Sequence, residues 1–153
     1  MTAPTIEVRD LREDDAPEWT RLYAGYREFY HLASDDEVTR RTWDWVLNRR
    51  HGLFGLVAVD ETGRAVAFAH VRLFARPSRA ELGLYLDDLF TSAEARGRGA
   101  ATALLRRCAE IAREEGASVV RWITAEDNAS ARRLYDSVAS STPWVTYDMP
   151  PAE

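Results

Sequence analysis

The chain reads as an α/β (α+β) protein, with one mixed central sheet flanked by four helices. Three observations carry this expectation. Leu82, Leu84 and Leu86 alternate along Glu81 to Thr91, as one buried sheet face requires. Two more β-rich runs, Leu53 to Val59 and Ala65 to Phe74, flank a hairpin turn, Asp60-Glu61-Thr62-Gly63-Arg64. The remaining long segments carry apolar residues at helical spacing, with capping signals at their starts. Early hairpins followed by a strand–helix–strand unit make such a sheet mixed rather than wholly parallel.

In chain order, Ile6 to Val8 reads as a short first strand. Asp14-Asp15-Ala16-Pro17-Glu18 then opens a helix, with an Asp cap, an early proline and an acidic first turn. Leu22, Tyr23, Tyr26, Phe29 and Tyr30 follow at helical spacing. Ser34-Asp35-Asp36-Glu37 fits a capping box and opens a second helix through Leu47. After the hairpin and Arg76-Pro77-Ser78-Arg79, Glu81 begins the central strand. A helix follows with Ala101, Leu104, Leu105, Cys108, Ile111 and Ala112 on one face, ending near Gly116. Val119 to Thr124 reads as the next strand. Asn128 caps a helix carrying Ala131, Leu134, Tyr135 and Val138 on one face, and Trp144 to Tyr147 reads as a last strand.

The central strand holds an irregularity. After Leu86 the residue in phase is Asp88, which is polar, while the apolar Leu89 stands in the opposite phase. A one-residue slip of this kind is what a β-bulge produces, so a bulge is expected near Asp87 to Leu89. Past the strand, Arg96-Gly97-Arg98-Gly99-Ala100-Ala101 forms a glycine-rich turn opening a helix. Glycines let a ligand approach the backbone, and the first helical N–H groups attract anions. The run is no P-loop, because G-x-x-x-x-G-K-[ST] is absent. It is no dinucleotide fingerprint either, since Thr102 occupies the third glycine position and no acidic residue stands at a strand end about 20 residues on.

A length of 153 residues suggests one domain over 1–153. The net charge of −5, the sequence pI near 5.3 and the lack of a basic stripe argue against nucleic acid as the main partner. An acidic balance favours a cationic small substrate or a basic peptide. One cysteine excludes a disulfide framework and a cysteine-based metal site. His31, His51 and His70 form no triad or metal spacing, so no metal is expected. The polar start lacks an apolar signal core, and no apolar run approaches membrane-spanning length, so a cytoplasmic protein with no membrane partner is the default.

Arg96, Gly99 and Ala101 fit R-x-x-G-x-A after a bulged strand, which resembles the signature of the GNAT superfamily of acyl-CoA-dependent N-acyltransferases. Leu86-Asp87-Asp88-Leu89-Phe90 looks like the diamine (spermidine/spermine) N-acetyltransferase branch. Asn128-Ala129-Ser130-Ala131-Arg132-Arg133-Leu134-Tyr135 is similar to the superfamily's second motif. The resemblance is good over residues 81–139 and weaker over 1–80. It implies a GNAT-like sheet of about six to seven strands, with two parallel strands that splay apart around the pantetheine arm of the co-substrate, acetyl-CoA. The pyrophosphate would rest on Arg96, Gly97, Arg98, Gly99, Ala100, Ala101 and Thr102. The pantetheine arm would meet Leu89, Phe90, Thr91 and Asn128.

The same resemblance names the reacting side chains. An amine of pKa about 10.4 needs about 4.6 kcal/mol to lose its proton at pH 7, so a proton acceptor is required. Asp87 is the candidate base, with burial and its acidic neighbour raising its pKa. Bonding to backbone donors freed at the bulge, and attraction of a cationic substrate, stay open for it. Tyr135 is the candidate acid for the departing thiolate; its bland alternative is a place on the helix's apolar stripe. Tyr26, Glu28, Tyr30, Trp43 and Asp88 are candidates for the acceptor pocket, each with a packing or solvated alternative. Cys108 reads as a buried core thiol.

The expected function is transfer of an acetyl group from acetyl-CoA to a primary amine of a small molecule, a polyamine or amino compound, by direct attack in a ternary complex. Alternatives are a lysine or N-terminal amine on a protein as acceptor, and a non-catalytic CoA-binding sensor or interaction module. Family habit implies a homodimer.

Overall fold

The computed structural model describes residues 5–153. The strands are β1 (Glu7–Asp10), β2 (Leu53–Val59), β3 (Ala65–Arg76), β4 (Glu81–Thr91) and β5 (Ala117–Arg121). The α-helices are α1 (Ala16–Phe29), α2 (Asp36–Leu47), α3 (Ala100–Glu114) and α4 (Ala129–Val138). The chain divides into two compact units, one ending at Ile123 and one from Thr124 to Glu153. The sheet and α1 to α3 belong to the first, and α4 to the second.

The five strands lie in the order β1-β2-β3-β4-β5. The first four pair antiparallel, and β5 joins β4 in parallel. This is the mixed sheet expected, with five strands among the described residues rather than six to seven. Trp144 to Tyr147 is not a strand. Among the described residues no strand pairs with that run, and Trp144, Val145 and Tyr147 are 82%, 75% and 89% exposed. An extended segment without a neighbour has no ladder to join.

Local chemistry sets the helix starts. Pro17 sits in the first turn of α1, where its missing N–H costs nothing. The Asp15 side chain does not cap α1; it accepts from Arg9 and from the Arg12 N–H instead. The cap of α2 is Asp35 rather than Ser34, its carboxylate accepting from the Val38 N–H at 3.1 Å. Gly116 follows α3 with φ 70°, the left-handed conformation that ends many helices.

The two sheet faces carry separate cores. Trp19, Leu22 and Tyr23 of α1 and Val46 of α2 cluster with Val57, Val59, Ala65 and Phe68. The alternate residues Leu56, Val71, Leu84 and Leu86 are also buried, as are Leu104, Leu105, Cys108 and Ile111 of α3, which packs on β2, β3 and β4. Each buried leucine contributes about 1.5–3 kcal/mol relative to exposure. Gly83 stands opposite Phe74, and a Cβ there would lie 2.5 Å from the Phe74 ring. Glycine at that position lets the ring cross β4.

Candidate active site

The expected bulge is present. His70 faces Asp88 and Val71 faces Leu86, so Asp87 is the extra residue in β4. One inserted residue breaks the alternation and brings two successive carboxylates to one face. Asp88 meets His70, while Asp87 accepts from Arg72 Nε at 2.9 Å. Arg72 lies two residues from His70 on β3, hence on the same side of the sheet.

Four side chains, Asp88 among them, form one hydrogen-bonded chain. Trp19 Nε1–H donates to His70 Nε2 at 3.0 Å. His70 Nδ1 lies 2.8 Å from Asp88 Oδ2, and the Tyr26 hydroxyl donates to Asp88 Oδ1. An indole nitrogen only donates, so His70 Nε2 is the acceptor and its Nδ1–H donates to Asp88. Trp19 is 0% and His70 1% exposed, whereas the Asp88 side chain keeps 24% exposure. The chain is thus buried at its tryptophan end and open at its carboxylate end.

The two carboxylates differ electrostatically. Burial pushes the Asp88 carboxyl up, but the hydrogen bond and electrostatic effect of His70, with a lesser hydrogen bond from Tyr26, outweigh it and hold the group below its ordinary value. Burial pushes Asp87 up as well, and there it prevails over the Arg72 guanidinium. Burial and the neighbouring Asp88 charge keep the phenols of Tyr26 and Tyr30 above their usual value. Tyr26 therefore remains a donor, Asp88 is the firmer anion, and Asp87 is the better proton acceptor.

The glycine-rich turn follows β4. Gly97 and Gly99 have φ 81° and 86°, and a Cβ at either would meet nothing within 4 Å. Residues 96–99 are exposed, and the first turn of α3 carries no acidic side chain. Its N–H groups and dipole are open to an anion. The Arg96 guanidinium lies 5.5 Å from the Phe29 ring centroid. Among the described residues, β4 and β5 pair only as far as Tyr85 and Arg121, and residues 86–91 have no parallel partner. The pairing thus stops short of the bulge, where the resemblance implies a gap between the two strands. Phe90 turns its ring toward Tyr26, 6.3 Å between centroids, and so offers only backbone to that gap. The chemistry fits acetyl-CoA: an open cationic helix end for a pyrophosphate, beside a strand segment without a parallel neighbour.

Tyr26, Tyr30 and the two carboxylates come together, with the Tyr26 and Tyr30 rings 4.9 Å apart. Trp43 packs against Trp19 at 5.1 Å, on the apolar core. Glu28 lines a cleft between α1 and the end of β4, with Arg21, Phe29, Phe90 and Arg96. In the second unit, Asn128 accepts from the Ala131 N–H at 3.4 Å as the cap of α4, and Tyr135 is half-buried on that helix. Burial pushes the Cys108 thiol up to about 12, in keeping with a core role. Among the described residues, no group of three or more His, Cys, Asp or Glu is placed to hold a metal ion, and no helix is long and apolar enough to cross a membrane.

Sequence reasoning missed Trp19 and His70. A cue existed for the histidine. Counting back from the hairpin places it opposite the acidic pair, where a polar residue on a buried face calls for a partner.

Residues 10–139 match the Acetyltransferase (GNAT) family. The chain is 30% identical over 148 residues to the D-amino-acid N-acetyltransferase HPA3 of Saccharomyces cerevisiae, covering 96% of this chain and 92% of the yeast protein. It is 28% identical over 132 residues to the uncharacterized N-acetyltransferase YhfO of Bacillus subtilis, covering 86% and 87%. A crystal structure of a probable acetyltransferase superposes with TM-score 0.84 at 25% identity, covering 96% and 99%. The aminoglycoside N-acetyltransferase AAC(6')-Iy in complex with CoA shares the fold, with TM-score 0.83 at 15% identity, covering 99% and 98%. The chain belongs to the GNAT family and is an acyl-CoA-dependent N-acetyltransferase.

Proposed function

We propose that the protein transfers the acetyl group of acetyl-CoA to a primary amine of a small molecule, a polyamine or amino compound. The observation that carries this reading is the acidic pair at the bulge. One carboxylate is held as an anion and the other has a raised pKa, both on one face of β4. An ammonium group needs both: a charge to bind it and a base to neutralise it.

When bound, acetyl-CoA supplies a thioester carbonyl and a thiolate leaving group. Arg96 to Thr102 hold its pyrophosphate, and the backbone of Leu89, Phe90 and Thr91 holds the pantetheine amides, with Asn128 as a further partner. Asp88 attracts the acceptor's ammonium. Asp87 takes the proton that the attacking nitrogen gives up, directly or through water. Tyr135 returns a proton to the departing sulfur. The motif of Leu86 to Phe90 favours a diamine acceptor. The similarity to a yeast enzyme named for D-amino acids favours a second reading, the amino group of an amino acid. A cytoplasmic homodimer is the setting family habit implies.

The test is an acetyl-CoA assay against a panel of polyamines, D- and L-amino acids and lysine peptides, with acetylated product detected by mass spectrometry. Turnover confined to the small amines is the expected result. Turnover of the peptides alone would reject the small-molecule reading.

A further inference from the structure

We propose that His70 is a positioning residue for acetyl transfer: Trp19 fixes its tautomer, and the imidazole in turn holds Asp88 as an oriented anion for the acceptor's ammonium. The inference rests on the role given to Asp88 above, and it assigns a function to a buried pair the reaction itself does not touch.

Donors and acceptors fix the tautomer. Trp19 Nε1–H can only donate, so the His70 nitrogen 3.0 Å away carries no proton. A neutral ring then has its single proton on Nδ1, aimed at Asp88 Oδ2 at 2.8 Å. The Tyr26 hydroxyl donates to the other carboxylate oxygen. Both named partners of Asp88 donate to it here, the imidazole N–H to one oxygen and the Tyr26 hydroxyl to the other. The pattern therefore favours the anion.

Rigidity is built into the far end of the chain. The Trp19 ring stacks on Tyr23 at 4.7 Å and meets Trp43 at 5.1 Å, so its N–H has one direction. A carboxylate kept only for packing would be an expensive choice, since an apolar pair of similar volume serves the core as well or better. Here the charge is instead held with an open edge, at the one step of β4 where its pairing with β3 slips. Oriented anions beside a reacting centre gain from partners that lock their rotamers. The titratable groups around His70 are Asp87 and Asp88 from β4 and Tyr23 and Tyr26 from α1, with Arg72 further along β3.

Three substitutions test this. His70→Leu removes both hydrogen bonds, and its amine KM is expected to rise about tenfold or more, with acetyl-CoA KM changed less than about twofold. His70→Asn keeps an N–H near the Nδ1 position, and it is expected to recover most of that loss. Trp19→Phe keeps an aromatic ring but frees Nε2 to take a proton. Its kinetic profile is expected to show amine KM raised about threefold or more, with acetyl-CoA KM unchanged, because the ring can then carry its proton on Nε2 and present none to Asp88. Two NMR readouts do not depend on turnover. Nitrogen shifts of His70 in the native protein should place the proton on Nδ1. The Asp88 carboxyl carbon should titrate at higher pH in His70→Leu than in the native protein, because the His70 hydrogen bond that lowers it is gone. Equal amine KM increases in the Leu and Asn variants would overturn the proposal, as would a proton on Nε2 or an unmoved Asp88 titration. If His70→Leu does not fold, the native tautomer and the Trp19→Phe profile decide. A native protein that acetylates no small amine would sink the proposed acceptor, while the two NMR readouts would still judge His70.

Discussion

His70 Nδ1 lies 2.8 Å from Asp88 Oδ2, at the point where β4 carries one residue more than β3. Without the extra residue, the register running back from Arg76 and Glu81 would set His70 against Asp87. The bulge thus does two things at once. It gives the histidine the inner carboxylate, and it leaves the outer one to Arg72, nearer solvent and with a raised pKa.

Asp87→Asn should separate the two carboxylates. The expected loss is about 10²–10³-fold in kcat, with amine KM changed less than about threefold. A base acts when deprotonated, and burial raises the Asp87 pKa. Native kcat/KM should therefore fall on the acid side, through a pH above the ordinary Asp value of about 3.9. The Asn variant should lack that limb in a pH–rate profile. An unchanged limb would assign the base elsewhere.

Gly99→Glu bears on the pyrophosphate site. The residue has φ 86°, and a Cβ there would find open space, so the substitution costs about 1–2 kcal/mol in backbone strain and meets no clash. It also sets a carboxylate at the start of α3, where phosphate oxygens would bind. CoA affinity measured by calorimetry should drop more than about a hundredfold, while circular dichroism keeps its native shape. Unaltered affinity would move the phosphate site.

Tyr135→Phe should lower turnover about 10²-fold and leave the Kd for CoA nearly intact. Parallel losses in both quantities would make the residue a packing element of α4.

The Arg9–Asp15 pair predicts a pH-dependent stability. Arg9 Nη1 and Nη2 donate to Asp15 Oδ2 and Oδ1 at 2.7 and 2.8 Å, and the Arg12 N–H adds a bond at 2.7 Å. The Arg9 hydrogen bonds hold the carboxyl below its ordinary value, against the opposing effect of burial. A depressed folded pKa contributes stability above the unfolded pKa, near 3.9, and that contribution fades as pH falls through the folded value. Arg9→Met should cost about 2–3 kcal/mol at pH 7, and progressively less below pH 4, in urea unfolding. A loss that is equal at pH 7 and pH 3 would refute the assignment.

The slip from Leu86 to Leu89 makes the bulge legible, because a period of two leaves no other place for an apolar residue out of phase. The glycine-rich turn is equally readable: it opens α3 as expected, and Gly97 and Gly99 both take the left-handed conformation. The His70–Asp88 contact is not. It joins residues 18 positions apart in sequence, and only the register of a hairpin with an insertion brings them together. Trp19 is further out of reach, 51 positions from His70 and looking like any core aromatic at helical spacing. Trp144 to Tyr147 misleads for the opposite reason: a run with the composition of a strand still needs a neighbour to bond.

Cys108 is the chain's single cysteine, at 0% exposure, and its thiol is pushed up to about 12. At neutral pH it is almost wholly protonated and shielded by α3's packing, so a sulfhydryl-reactive dye finds no target on the folded protein. Every colour change in such an assay then reports a free CoA released, and the native sequence can be followed continuously without replacing the cysteine.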